Sequence, residues 1–254
     1  MRIGDSYDDW TFIVERYTRS LLTKAEDKLI AINGVAGTVQ RLLNDEYFAG
    51  LWRRDLPRLL LWRVLRGKQV DGTPSYRPLG YRAPTWSWAS VDGEVTFPYP
   101  STEPLKVNVK ILGIYVRKKE GDETGQVIGG RLDIKGLVFS PTRGRLFDSG
   151  PSDEMGIYID DKDPYWRKQP LKDEDMILLI VCTWHGRDKL QMFVRHEGLI
   201  LVPTGDPVMD EEERVDYQRV GTFTAGQMSF QEYATPDRVR RWWESLRERV
   251  VSIV

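Results

Sequence analysis

Apolar residues in the first 65 positions recur with the period of an α-helix. One set is spaced three or four residues apart and predicts a helix over 6–22: Trp10, Ile13, Val14, Tyr17 and Leu21. A second set predicts a helix that begins near Thr23: Leu29, Ile32, Ala36, Val39 and Leu43. Residues 51–65 are apolar on most sides and predict a third, largely buried helix. Gly34 and Gly37 weaken the second helix, so we expect another element to pack closely against them.

After residue 85, apolar and polar residues alternate with the period of a β-strand. Short strands are predicted at 106–117, 127–139, 155–159, 176–184, 190–196, 199–203 and 215–223. Thr235 and Pro236 then fit the start of a last helix, whose apolar face is Val239, Trp242, Trp243, Leu246 and Val250. The pattern predicts an α+β fold, in which N-terminal helices precede a curled antiparallel sheet or small β-barrel and a C-terminal helix.

We interpret residues 1–254 as one domain with three parts. These are a helical part over 1–67, an antiparallel β part over 85–233 and a packing helix over 235–250. A chain of 254 residues is long enough to bury a full hydrophobic core.

The helical and β parts meet in the segment 76–93, which reads YRPLGYRAPTWSWASVDG. Strand alternation from Thr85 places Trp86 and Trp88 on one face, and each indole can bury roughly 200 Å². Two interpretations remain open. The tryptophans form core between helices and sheet, or they form an aromatic wall of a ligand pocket.

The same segment resembles a known family. YRAPTWSWAS, at 81–90, is similar to the RAPSWSWAS signature of the heterokaryon-incompatibility (HET-domain) proteins of filamentous fungi. The resemblance extends upstream to Trp10, Ile13-Val14 and Tyr17-Thr18, then to DKL at 27–29, YFAGLW at 47–52 and LLW at 60–62. It therefore covers Trp10 to Gly93, in the order expected for the family.

In that family these motifs follow the HET domain, which carries the proposed immune-signalling activity. Here the Trp10 motif comes almost directly after Met1, so the effector half has no counterpart in this sequence. The resemblance therefore implies fungal origin, but it transfers neither the effector activity nor any of its functional residues.

Composition narrows the function further. Net charge is −1, which argues against general binding to nucleic acid or to anionic membranes. No apolar run has the length of a membrane span, and the N-terminus lacks the apolar core of a signal peptide, so we expect a cytoplasmic protein.

The residues that could carry reactive or metal-binding chemistry are few. The single cysteine, Cys182, lies in an apolar run and is expected to be a buried thiol. Two histidines give no metal-ligand spacing, and phosphate-binding and nucleophile-elbow motifs are absent, so no metal or cofactor is predicted.

Elimination leaves a hypothesis of cofactor-free catalysis. An aromatic cavity can hold an apolar fungal metabolite, such as a terpenoid or polyketide, in a reactive conformer for cyclisation or isomerisation, including a Diels–Alder closure. The expected substrate-binding residues are Trp62, Tyr81, Trp86, Trp88, Tyr115 and Tyr217. The expected catalytic residues, which would polarise a substrate carbonyl, are Arg82, His185 and Arg219.

The alternative hypothesis is a docking or regulatory module without catalysis, derived from the incompatibility proteins, whose partner is another protein. A large internal cavity favours the enzyme, whereas an exposed aromatic surface favours the docking module.

Overall fold

A computed structural model describes residues 7–20, 25–65, 75–98, 105–120, 126–140, 155–160, 176–188, 191–204, 215–227 and 246–254. The fold mixes helix and a curled sheet, as predicted, and the sheet has eight strands among the described residues. Within the described ranges, no helix is long and apolar enough to cross a membrane.

Two helices form the N-terminal part. Helix α1, Tyr7–Arg19, buries Trp10 and Val14. Its acidic first turn and basic last turn both interact favourably with the helix dipole. Helix α2, Lys28–Leu43, buries Ile32, Ala36 and Val39 and ends at Asn44 in the left-handed conformation. The expected close packing at Gly34 and Gly37 is wrong, because a methyl group at either position would meet no described atom within 4 Å.

The third helix, predicted over 51–65, is also wrong. Strands β1, Tyr47–Phe48, and β2, Leu51–Trp52, form a hairpin, in which Ala49 and Gly50 have φ of 45° and 97°. The one-turn helix α3, Leu56–Leu59, and strand β3, Arg63–Val64, follow. Strand β4, Val95–Thr96, pairs with β3. The run 59–62 is apolar because it is buried on every side, which an irregular buried segment satisfies as well as a helix.

Segment 76–93 is not a strand either. Ser87 accepts a hydrogen bond from the Ala89 amide and caps a 3₁₀ turn over Trp88–Ser90, so the alternation predicted from Thr85 does not occur.

The main sheet comprises eight strands among the described residues. They are β5, Leu105–Val107; β6, Lys110–Lys118; β7, Val127–Phe139; β8, Met155–Ile159; β9, Ile177–Asp188; β10, Gln191–Pro203; β11, Asp216–Gln227; and β12, Arg247–Ile253. The two strands predicted over 190–203 are one strand, β10, with a bulge between Glu197 and Gly198.

The sheet closes on itself through strand β9. Because β9 pairs with both β10 and β7, strands β9, β10, β11, β12 and β7 form a ring. The described pairs are antiparallel except β11 with β12, which is parallel and corrects the fully antiparallel prediction. Strands β5, β6 and β8 lie outside the ring and pair with β9, β7 and β11.

The prediction of a C-terminal helix is wrong for the residues that the structure describes. The predicted helix over 235–250 lies mostly outside the described residues, but Arg247–Ile253 is strand β12, paired with β7. Val250, which the helical pattern assigned to the buried face, is 58% exposed, whereas Val251 and Ile253 are buried.

Packing joins the helical part to one face of the sheet. Leu179 and Val181 of β9 belong to a large core cluster that also contains Trp10, Trp52 and Ile32. Leu178 and Ile180, on the opposite face of β9, belong to a smaller cluster around Phe223. Cys182 is buried, as predicted, and burial raises the pKa of its thiol to about 12.

Candidate functional site

The predicted aromatic wall belongs to the packed core. Trp62, Trp86 and Trp88 have no exposed surface, so no solvent-sized space touches their rings. The Trp62 indole N–H donates to the carbonyl of Trp86 at 3.0 Å, and that of Trp88 donates to the carbonyl of Gly50 at 3.0 Å. Of the two interpretations left open, the structure shows the core one.

The three predicted tyrosines do not converge on an interior space. Tyr81 is 53% exposed and Tyr115 is 60% exposed, which corrects the inward orientation expected for both. Tyr217 is half-buried and packs against the large core cluster.

The predicted polar residues lie at three separate places. Arg219 is fully buried: it pairs with Asp160 at 2.9 Å, donates to the carbonyls of Leu60 and Trp62 at 2.7 and 2.5 Å, and stacks 3.4 Å from the Trp62 ring. Burial lowers the pKa of Arg219 to about 10 against the opposing charge of Asp160, so the guanidinium stays positive at neutral pH. Four of its five N–H groups are therefore engaged by Asp160 and the two carbonyls.

The surroundings of Arg82 and of His185 differ from those of Arg219. Arg82 pairs with Asp92 at 2.6 Å, and Lys28 reaches the same carboxylate oxygen at 2.9 Å. Burial raises the pKa of Asp92, but Arg82 and Lys28 outweigh it and hold that pKa below its ordinary value. His185 is exposed on β9, opposite Val194 of β10. The structure therefore does not assemble the predicted catalytic set.

A cleft of about 460 Å³ lies instead between helix α2, the β1–β2 hairpin and strand β6. Its lining is mainly apolar and aromatic, with one amide and two cations: Leu29, Asn33, Tyr47, Phe48, Ala49, Ile114, Tyr115, Val116, Arg117, Lys118 and Val127. Tyr115 is the one predicted substrate-binding residue in it.

The cleft borders strand β6 along residues 114–118 and reaches the start of β7 at Val127. Neighbouring side chains of a strand point to opposite faces, yet every residue from Ile114 to Lys118 lines the cleft. Strand β6 pairs with β7 alone among the described strands and stands last in the sheet. The backbone edge of β6 opposite β7 therefore borders the cleft.

The wall opposite β6 is held in place by buried contacts. Tyr47 packs edge-on against Trp10 at 5.6 Å between ring centres, and it contacts Trp52 at 5.0 Å. The Ala49 carbonyl accepts a 2.6 Å hydrogen bond from the Ser87 hydroxyl, which fixes the hairpin turn. Burial raises the pKa of Tyr47, so its hydroxyl stays neutral.

The electrostatic character of the cleft is positive. Arg117 and Lys118 are exposed, and neither forms an ion pair with a carboxylate of the described residues. Tyr81 lies near enough for Arg117 to affect it: partial burial raises the pKa of Tyr81 to about 12, and the charge of Arg117 opposes that rise. The arrangement can receive an elongated ligand that is apolar on one side and carries negative charge.

Sequence reasoning did not find this cleft. The sequence indicates a motif at 47–52 and a strand at 106–117, but which strand stands last in a sheet depends on long-range pairing.

Comparison of the chain with protein-family models, with curated proteins and with solved structures finds no match.

Proposed function

We propose that this protein is a docking module, without catalytic activity, that binds an extended segment of another polypeptide by adding it to strand β6. The observation that carries the proposal is the cleft lined by consecutive residues 114–118 beside the edge of β6 that no described strand covers, called the open edge below. In strand addition, backbone hydrogen bonds to the edge strand supply affinity, and pockets for alternate side chains supply specificity.

The dimensions fit a short segment. Five strand residues span roughly 16 Å at 3.3 Å per residue, which matches a bound stretch of about five to seven residues. Register shifts in the β6–β7 pairing lie between Ile111 and Gly113 and between Arg117 and Lys118, so the regular part of the edge is 113–117. Helix α2 and the hairpin would cover the outer side of the segment.

The proposal agrees with the resemblance to the incompatibility proteins, in which this region accompanies an effector domain. A module that docks a partner segment has a use both beside an effector and without one. The family relationship and the docking role both remain proposals.

Cofactor-free cyclisation remains a prediction, and the described residues give it no assembled site. The tryptophans expected to enclose the substrate are packed against protein, and Arg219, one of the three expected donors, is buried and bonded to Asp160 and two carbonyls.

The test begins with a phage library of random eight-residue peptides, selected on the immobilised protein. Selected peptides are then measured by fluorescence anisotropy, and amide hydrogen exchange is followed with and without peptide. We expect slower exchange in 110–118, and we expect N-methylation of alternate peptide amides to abolish binding while N-methylation of the intervening amides does not. Failure to select any peptide, protection confined to other residues, or equal binding of both N-methylated series contradicts strand addition.

A matched pair of variants locates the site. Asn33 and Val35 are both exposed on helix α2, but only Asn33 lines the cleft. We expect Asn33→Trp to fill the cleft and weaken peptide binding at least tenfold, and Val35→Trp to leave it unchanged. Both exposed substitutions should change the free energy of unfolding by no more than about 0.5 kcal/mol. Equal effects of the two variants on binding would place the site elsewhere.

A further inference from the structure

The charge along the open edge indicates what kind of segment it takes, an inference that rests on the proposed strand addition. From Leu105 to Lys119 the sequence contains Lys106, Lys110, Arg117, Lys118 and Lys119 but no aspartate or glutamate. The last four are exposed, and none forms an ion pair with a carboxylate of the described residues.

Several other cations of the described residues do form ion pairs. Arg19, Arg58, Arg63, Arg82 and Arg219 each lie within 4 Å of a carboxylate oxygen. The four exposed cations between 110 and 119 instead form a row without a carboxylate partner among the described residues, and Glu120 follows them directly in the sequence.

The same charges argue against a second copy as the occupant. Pairing two β6 edges would place the lysines and arginines of both copies on strands about 5 Å apart, inside the screening length of roughly 8 Å at physiological salt. Lysine on an edge strand is a common means by which proteins prevent self-pairing. A partner segment that carries carboxylates is instead attracted by these positive charges.

The side chains around the edge add a second requirement. Leu29, Tyr47 and Phe48 give one side of the cleft an apolar surface. Arg117 extends beside Gly129 of β7: a methyl group at Gly129 would lie 3.2 Å from its Nε. Its guanidinium can offer a two-pronged hydrogen bond to a carboxylate.

We infer that the partner segment is acidic, an extended stretch in which apolar residues alternate with aspartate or glutamate. The apolar side chains face helix α2 and the hairpin, and the carboxylates reach Arg117 and Lys118.

Three labelled eight-residue peptides test the inference by anisotropy: valine alternating with glutamate, with serine and with lysine. We expect the glutamate peptide to bind at least tenfold more tightly than the serine peptide, to weaken as salt rises, and to slow amide exchange in 110–118. The lysine peptide should bind most weakly.

The decisive variants are charge reversals of equal size. Arg117→Glu/Lys118→Glu should reverse the order of the glutamate and lysine peptides. Arg41→Glu/Arg249→Glu, which changes the net charge equally at exposed positions that do not line the cleft, should leave the order unchanged.

The outcomes separate the inference from the docking role. Equal binding of the serine and glutamate peptides, with protection of 110–118, overturns acid selection and keeps strand addition. Binding of none of the three peptides, together with failure of the library selection, overturns both. If a short DNA duplex or vesicles with phosphatidylserine bind more tightly than the glutamate peptide and depend equally on Arg117 and Lys118, the acidic-segment inference is wrong.

Discussion

At the scale of single residues, depth in the sheet decides the properties of an ionisable side chain. His196 of β10 illustrates this. It is buried, its Nδ1 lies 2.9 Å from the Thr183 hydroxyl oxygen, and burial lowers its pKa from 6.5 to about 4. His185, which precedes it in the same hairpin, is exposed. Two histidines with nearly the same sequence signal thus differ because of their depth in the sheet.

His196 makes stability depend on pH. Because its pKa is lower in the folded protein, the unfolded chain takes up the proton first as the pH falls. Its contribution is complete above about pH 6.5 and is lost progressively towards pH 4, by roughly 2–3 kcal/mol. Urea unfolding should show a shallower loss over this range in His196→Gln than in wild type. His185→Gln removes a nearby charge that lowers the pKa of His196, so its loss should lie between those of wild type and His196→Gln. Parallel pH profiles for all three proteins would contradict the assignment.

At the scale of elements, local patterns predicted structure where one face of a segment is buried, and failed where burial surrounds the chain or pairing is distant. Trp10 and Val14 are buried on α1 at the predicted period. Leu60 and Trp62 are equally apolar but sit in an irregular segment enclosed on all sides.

Strand β12 and the cleft were missed for a different reason. Residues 247–253 become a strand by pairing with β7, more than one hundred residues earlier, and the cleft exists because β6 is left at the end of the sheet. Neither partner choice leaves a local signal. Of the residues predicted for a site, Tyr115 alone lines the cleft, although strand alternation predicted an inward side chain there and Tyr115 is 60% exposed.

Two glycines in different elements should respond oppositely to alanine. In helix α2, a methyl group at Gly34 meets no described atom within 4 Å, so Gly34→Ala should stabilise the protein by about 1 kcal/mol through helix propensity. In β10, a methyl group at Gly198 would lie 2.0 Å from the Leu179 carbonyl oxygen and 2.5 Å from the Phe223 ring, so Gly198→Ala should destabilise by about 3 kcal/mol. Thermal and urea unfolding measure both. A stabilised Gly198→Ala, or a Gly34→Ala that loses stability, would show that the packing differs from this description.

At the scale of the whole molecule, buried ion pairs join the helical part to the sheet. Arg63 of β3 pairs with Glu197 of β10 at 2.5 Å and lies 4.0 Å from the Tyr158 ring. Arg219 of β11 pairs with Asp160 and binds the carbonyls of Leu60 and Trp62. These side chains hold irregular backbone of the helical part against the ring, where regular secondary structure does not span the junction.

Removing one charge at this junction should be costly. Arg219→Met keeps much of the volume but leaves the Asp160 carboxylate buried without its main partner, and we expect a loss of about 3–5 kcal/mol. The control is the surface pair of Arg19 and Glu94, where Arg19 is 61% exposed and Arg19→Met should cost at most about 1 kcal/mol. Chemical unfolding of both variants measures the two losses in the free energy of unfolding. Similar small losses would mean that Asp160 finds another partner or solvent.

Closure of the ring also sets an order on biosynthesis. Strand β12 stands between β11 and β7, so the ring is complete only when residues 247–253 have joined strands made long before them. At roughly 5–20 residues per second, β7 would wait about 5–25 s for its partner after its own synthesis. During that interval, the edges of β7 and β11 that later pair with β12 can pair with other strands. Contacts between strands so far apart in sequence also form slowly. We expect nascent chains that end before residue 247 to depend on chaperones, and full-length chains to be released from them.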